Sequence, residues 1–344
     1  MMRPAKGGGN GAGDAATMNV SLDAIVEAAL PRYRFSFDAT YRLVNVSENS
    51  TYRIDDPQSG QSTALRISRS NYHSEAAIAS ELDWMDALSK ADVVHPPKVI
   101  EALDGSRVQI VEIPGAPPRM IVLFEWLSGS PPRFDGNLVP NFRALGSLAA
   151  RMHAHGLSWK RPMSFERYSC DYDAALGSKA LWGRWQDGLG LAAGERALLM
   201  QLDNEIKRRL DEYGREQDRF GLAHNDLRLA NLLQDGDELR VIDFDDCGFS
   251  WYMYDFATAV SFIEDDPRVP DLMAAWLEGY ANHRALSRAD LDILPTLVLF
   301  RCLLLVGWVG SHHEFAEEAR ELGAAYTTKT CALAERYLAG RFLR

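Results

Sequence analysis

Residues 21–30, SLDAIVEAAL, place apolar side chains at helical spacing behind a serine start. That pattern predicts a short capped helix. The spacing then changes to alternation. In YRLVNVSENSTYRID, from Tyr41, β-branched and aromatic residues flank the polar turn SENS, and the turn DDPQSGQS leads to a third short run, TALRIS. Strand, turn, strand, turn, strand predicts an antiparallel meander. Helical spacing returns in EAAIASELDWMDALSKA, where Ala77, Ile78, Leu82, Met85 and Leu88 share a face. RVQIVEIP and RMIVLFEWLSG read as two further strands. The order β-β-β-α-β-β predicts a small α+β lobe of roughly one hundred residues, within normal domain size.

Beyond GSPPRFDG the pattern is helical. NFRALGSLAARMHAH carries Phe142, Leu145, Leu148, Ala149 and Met152 on one face, and Gly156 is expected to stop that helix. ERALLMQLDNEIKRRLDEYG predicts another. One strand-turn-strand, NLLQ-DGD-ELRVIDF, interrupts the helices, with Asp235-Gly236 as its hairpin signal. Helices resume at YMYDFATAVSFI and continue to the C-terminus. The run LVLFRCLLLVGWVG, residues 297–310, is too short to span a bilayer and holds Arg301 in its middle. It predicts a buried core helix without membrane association. Arg301 is expected to pair with a buried carboxylate, because an unpaired buried charge is costly.

Composition narrows the function classes. The 344 residues leave room for two lobes, and 47% hydrophobic with 25% charged residues is an ordinary soluble balance. A net charge of -11 leaves no surplus of Lys and Arg to neutralise phosphates, which argues against a general nucleic-acid binder. The Gly-rich start lacks an apolar core, so residues 1–18 are expected to form a disordered tail, with Met18 an alternative start, on a cytoplasmic protein. Cys170, Cys247, Cys302 and Cys331 lie far apart without ligand spacing, which predicts reduced thiols.

The candidate chemistry is concentrated in LAHNDLRLANLLQDGDELRVIDFDD. Phosphoryl transfer asks a protein mostly for positioning and charge neutralisation. A carboxylate must orient the acceptor hydroxyl, and oxygen ligands must hold magnesium against the phosphates. HNDLRLAN followed by VIDFDD supplies these in order: Asp226 as base, then Asn231 and Asp243 as metal ligands, with the hairpin folding Asp243 back beside Asn231. A polar hairpin with incidental acids is the bland alternative. The length and order of the pattern weigh against it.

These motifs resemble the aminoglycoside phosphotransferase and choline kinase superfamily, from about Tyr41 to Ala257. NVSENSTYRI with TALRIS looks most like the branch of type II homoserine kinases and the bacterial stress-response kinase. The resemblance implies a bilobal protein-kinase-like α+β fold, with a β-rich N-lobe of residues 19–127 built around one main helix. A larger, mostly helical C-lobe would span 128–344, with ATP in the cleft between lobes. Ser47, Asn49 and Ser50 would belong to the loop over the phosphates, although the glycines usual there are absent. Arg66 stands where a phosphate-binding Lys is usual, and Glu81, or less favourably Glu75, would pair with it. Phe124, Glu125, Trp126 and Leu127 would form the hinge whose backbone binds adenine, with Trp126 also suited to packing. Asp255 would brace the catalytic loop, His224 would bond within it, and Asp245 or Asp246 would assist metal or acceptor. His153, His155, His312 and His313 read as packing or surface residues.

The expected activity is ATP- and magnesium-dependent transfer to a hydroxyl, with a small amino alcohol such as homoserine as acceptor. A protein Ser or Thr is an alternative, as is an aminoglycoside facing Glu264, Asp265 and Asp266. A non-catalytic nucleotide-binding pseudokinase is suggested by Arg66 and opposed by the intact Asp226, Asn231 and Asp243.

Overall fold

The computed structural model describes residues 21–70, 72–178 and 180–343; the expected tail and the alternative start at Met18 lie outside them. The chain forms two compact units, Met1–Glu75 with Lys98–Trp126, and Ala76–Pro97 with Leu127–Arg344.

In the first unit, helix α1 (Leu22–Ala29) is capped by Ser21, whose Oγ accepts from the Asp23 amide at 3.2 Å. Strands β1 (Thr40–Val46), β2 (Ser50–Asp56), β3 (Gln61–Ile67), β4 (Val99–Ile100), β5 (Gln109–Val111) and β6 (Arg119–Glu125) form one antiparallel sheet. Its order is β1-β2-β3-β6-β4, with β5 also on β6. The predicted meander is present. The two-residue β4 was not legible, because so short a segment shows no alternation. Tyr52, Ile54, Leu65, Ile67, Ile121 and Leu123 form one core with Ile25, Val26 and Ala29 of α1. The alternating strand face and the helix stripe therefore bury each other.

Helix α2 (Glu75–Lys90) follows the meander, as its spacing predicts, and from Ala76 onward it groups with the second unit. Side-chain packing gives the reason. Trp84 lies edge-on to Phe244 at 5.7 Å, the Ser80 hydroxyl accepts the Glu166 amide at 2.8 Å, and the Ala77 carbonyl accepts Arg167 Nη1 at 3.1 Å.

The second unit continues with α3 (Val139–Ser158), α4 (Tyr172–Ala175), α5 (Ala193–Tyr213), β7 (Phe220–Ala223), β8 (Leu232–Asp235), β9 (Glu238–Val241) and β10 (Gly248–Trp251). It ends with α6 (Tyr254–Ala259), α7 (Val269–Ala281), α8 (Arg288–His312) and α9 (Glu317–Leu338). β8 and β9 form the predicted hairpin, with Leu232 opposite Val241. β7 pairs antiparallel with β10, a short two-stranded ribbon that the sequence did not signal.

Two helix boundaries differ from expectation. α3 runs through Gly156 to Ser158. That glycine is there for close approach: a Cβ would lie 3.2 Å from the Leu222 carbonyl of β7. α6 stops at Ala259, and Phe262, inside the predicted helix, has a left-handed φ of 72°. α3 and α7 meet through reciprocal glycines. A Cβ on Gly146 would fall 2.0 Å from the Trp276 carbonyl, and one on Gly279 would fall 1.9 Å from that of Arg143.

α8 extends the apolar run to 25 residues, so length no longer argues against a membrane span; burial does, since 89% of its most apolar window lies inside the protein. Its start is a capping box between Ser287 and Asp290. The four cysteines are free and buried.

Candidate active site

β7 delivers the chain into His224–Asn231. The main chain there is held by Asp255 in the first turn of α6, which is fully buried. Its Oδ1 accepts the Asn225 amide at 2.8 Å, and its Oδ2 accepts the His224 amide at 3.3 Å and His153 Nε2 at 2.7 Å. Asn225 has a left-handed φ of 67°, a conformation Asn tolerates better than most residues. The Leu227 amide is held by Thr258 Oγ1 at 2.9 Å. Asp255 thus braces the loop through backbone groups.

His224 bonds within this segment. Its Nε2 donates to the Ile242 carbonyl at 3.2 Å, and its Nδ1 accepts the Asp226 amide at 3.3 Å. Burial pushes its pKa below the ordinary histidine value, matching the neutral tautomer these partners require. His153, read from the sequence as a packing or surface residue, is a packing residue with a carboxylate partner. It is fully buried between Asp255 and the Tyr280 hydroxyl, 3.0 Å away, and burial also lowers its pKa. These partners lie 102 and 127 residues along the chain, beyond any local pattern.

The Asp226 carboxylate is held from two sides. Asn231 Nδ2 donates to Oδ2 at 2.6 Å, and Arg301 Nη2 donates to Oδ1 at 2.5 Å. Arg228 Nε stands 3.6 Å from Oδ2, while its Nη1 donates to both Glu318 oxygens at 2.7 Å. Arg301 thus has a carboxylate partner, as expected, but a half-buried rather than a buried one, and that partner is the candidate base. Burial works against its charge, but Tyr254 and Asp226 beside it hold its pKa above the ordinary value.

Asn231 also accepts the Ile242 amide on its backbone carbonyl at 3.0 Å. With Leu232 opposite Val241, this bond carries Asp243 back toward Asn231, as the hairpin predicts. Asp243 is exposed, with a left-handed φ of 61°. Such backbone is uncommon outside glycine and concentrates at functional sites. The Asn231 amide nitrogen faces Asp226, which turns its Oδ1 away from that carboxylate. An amide oxygen and a carboxylate suit a hard divalent cation, so the residues present fit magnesium.

The chain after Asp243 is fastened by residues that local motif reading passed over. The buried Arg167 guanidinium donates to the carbonyls of Asp245 and Cys247 as well as Ala77, and the Tyr168 hydroxyl donates to the Asp246 carbonyl at 2.7 Å. Asn225 Nδ2 donates to the same Asp246 carbonyl at 3.1 Å. Asp245 is buried and Asp246 half-buried. Glu81 is fully buried in α2, close enough to Arg167 and His224 to favour their charged forms. Glu75, the less favoured candidate, is exposed at the start of α2.

In the first unit, Arg66 is buried on β3 between Thr51 and Val122, with its guanidinium 5.3 Å from the Phe124 ring centre. The Ser47 amide donates to the Asn49 carbonyl at 2.9 Å, closing the turn. Ser50 is already in β2, opposite Ile67. Arg69 bonds Glu48 at 3.0 Å and its amide reaches Asn49 Oδ1 at 3.4 Å, so this turn is anchored rather than open. The Glu125 and Trp126 amides donate to the carbonyls of Lys98 and Ser62. Trp126 packs under Arg53 at 4.8 Å, and Leu127 begins the second unit.

The acidic trio does not form an open anionic wall. Glu264 is buried, accepting from the Tyr326 hydroxyl at 2.7 Å and Lys329 Nζ at 2.8 Å. Asp266 is bidentate with Arg268, and Asp265 faces Lys329 at 3.8 Å.

A loop carboxylate gripped by an asparagine five residues on, beside a hairpin ending in a second acid, is an arrangement that suits phosphoryl transfer, on a kinase-like fold. The phosphotransferase enzyme family model, APH, matches residues 41–289, and the chain belongs to that family. The chain is 44% identical to a microcompartment-associated aminopropanol kinase of known structure, covering 94% of this chain and 99% of that one with a TM-score of 0.86. It is 22% identical over 315 residues to the amicoumacin kinase of Bacillus subtilis (strain 168), covering 88% of this chain and 90% of that protein. An amicoumacin kinase solved with AMP-PNP, Ca2+ and Ami shares the fold at a TM-score of 0.75 and 20% identity, covering 94% of this chain and 95% of that one.

Proposed function

We propose that this chain is an ATP- and magnesium-dependent kinase that phosphorylates the hydroxyl of a small amino alcohol in the cytoplasm, with 1-amino-2-propanol as the first acceptor to test. The two-sided grip on Asp226 carries the catalytic part of this reading. The 44% identity to an aminopropanol kinase over nearly the whole chain supports the acceptor class. AMP-PNP in the related amicoumacin kinase supports ATP as donor.

Asp226 is the group that orients the acceptor hydroxyl and takes its proton. Asn231 Oδ1 and Asp243 would hold magnesium, and Asp245 and Asp246 are further oxygen donors on the segment that Arg167 and Tyr168 fasten. When bound, the cation neutralises charge on the transferring phosphoryl group. His224 and Asp255 keep the loop in shape and do not touch the acceptor. On the first unit, Arg66 is proposed to meet the nucleotide phosphates, with Ser47, Asn49 and Ser50 contributing from the turn. Glu81 is proposed as the ion partner that the family resemblance implies. The backbone from Phe124 to Leu127 is proposed to receive adenine.

An ATP-consumption screen tests the reading. It should compare 1-amino-2-propanol, ethanolamine, homoserine, an aminoglycoside and a serine-containing protein, each with and without magnesium. Magnesium-dependent turnover strongest with a small amino alcohol is expected. Turnover confined to the aminoglycoside or the protein, or nucleotide binding without turnover on any acceptor, overturns it.

A further inference from the structure

We propose that Arg301 is a positioning residue for phosphoryl transfer: from the middle of α8 its guanidinium fixes the orientation of the Asp226 carboxylate toward the acceptor hydroxyl. This rests on the reading of Asp226 as the hydroxyl-orienting group.

All three guanidinium nitrogens have oxygen partners. Nη2 donates to Asp226 Oδ1 at 2.5 Å, Nε to Ser261 Oγ at 3.1 Å, and Nη1 to the Tyr254 hydroxyl at 3.4 Å. Those other anchors make the guanidinium plane a fixed object. Asn231 grips Oδ2 from within the loop, so the carboxylate is held at one oxygen by a neighbour in sequence and at the other by a remote helix. Held at both oxygens, its plane cannot turn without breaking a charge-assisted hydrogen bond. The short helix α6 serves the loop twice. Asp255 pins its backbone, while Tyr254 steadies the arginine that orients its key side chain.

A purely structural account would make Asp226 a convenient counter-ion for a buried charge. The surroundings argue otherwise. Arg301 is flanked by Leu297–Phe300 and Cys302–Val306, all buried, where an apolar residue would avoid desolvating a guanidinium. Two fully buried carboxylates nearby are already taken: Glu264 is neutralised by Lys329 and hydrogen-bonded to Tyr326, and Asp255 is held by His153 and the loop amides. A lysine could not reproduce the guanidinium's planar set of three donors.

Arg301→Met and Asp226→Asn, singly and together, test the inference with ATP and 1-amino-2-propanol, alongside ATP hydrolysis without alcohol, where water replaces the hydroxyl. Arg301→Met should lower kcat about 10²-fold, the scale of a misplaced catalytic group, with KM for ATP within about twofold. In the Asp226→Asn background the same change should cost less than about threefold, because a residue acting through Asp226 has nothing left to position. Arg301→Lys, which keeps the buried charge, should recover only part of kcat. If Arg301→Met does not fold, Arg301→Lys and Tyr254→Phe carry the test, and a kcat equal to wild type in both overturns the inference. So does an equal loss with and without Asp226, or a loss confined to KM. Full activity in Asp226→Asn would instead sink the underlying reading. Hydrolysis that follows the same pattern when aminopropanol is not phosphorylated would sink only the acceptor class.

Discussion

The His224–Asn231 loop and helix α8 hold the same carboxylate by different routes. Asn231 reaches Asp226 across five residues and Arg301 across seventy-five. The loop contact follows from a short spacing that brings an amide back to a preceding acid. The helix contact exists only after α8 is buried in the second unit. His153 repeats the second route, reaching Asp255 from α3. A site can therefore be composed locally and still be aligned from a distance. Groups that hold Asp226, the remote Arg301 included, should fail in turnover; residues that only pack one helix against another should fail in stability.

The largest effect tests the local side. Asp226→Ala should lower kcat by about 10³-fold or more, within the range for general acid-base groups, while thermal unfolding still reports a folded protein. Comparable turnover in steady-state assays would break the comparison at its centre. Asp243→Ala should follow, with a loss of about 10²-fold and a raised magnesium requirement, read from activity against metal concentration. Full activity at ordinary magnesium would remove Asp243 from the donor set.

On the remote side, Gly279→Ala should cost about 1–3 kcal/mol by denaturant unfolding, because its Cβ would collide with the Arg143 carbonyl and push α3 from α7. kcat of the fraction that remains folded should stay near wild type. A similar turnover loss would show that the two routes are not separable.

A smaller effect is set by pH. His153 and His224 are held with pKa values below that of the unfolded chain, so the unfolded state binds more protons as pH falls. Their contribution to stability is complete above the unfolded histidine pKa of about 6.5 and is lost as pH falls below it, at up to about 1.4 kcal/mol per unit for each. Urea unfolding from pH 7.5 to 5.5 should show this, and His153→Asn should flatten the slope. The smallest effect is expected at the exposed Arg208, which pairs with Glu205 and Glu212 on α5. Arg208→Ala should leave both the urea midpoint and turnover at wild-type values, because exposed ion pairs contribute little.

Legibility followed the same division. The meander, the β8–β9 hairpin and the amphipathic faces of α2 and α3 were readable because strand alternation and helical spacing are local. Gly156 misled because a glycine that ends a helix and one that admits a neighbouring strand look alike in sequence. Periodicity marked the apolar face of helix α2 without naming what covers it; Trp84 packs against Phe244. The acids Glu264 and Asp266 suggested a cation-binding wall until Lys329 and Arg268 were found against them.

By itself the sequence determined the amphipathic helices, the β1–β2–β3 turns, the loop carrying Asp226 and Asn231, and the hairpin that turns the chain back at Asp243. Each depends on bonds between residues a few positions apart. It also required Arg301 to have a partner, since a guanidinium buried among leucines is too costly alone. Only the tertiary structure decided that the partner is Asp226, that His153 holds Asp255, and that Arg167 fastens the segment after Asp243. Those choices depend on which helices bury one another, and side-chain packing settles that after local spacing has lost its reach.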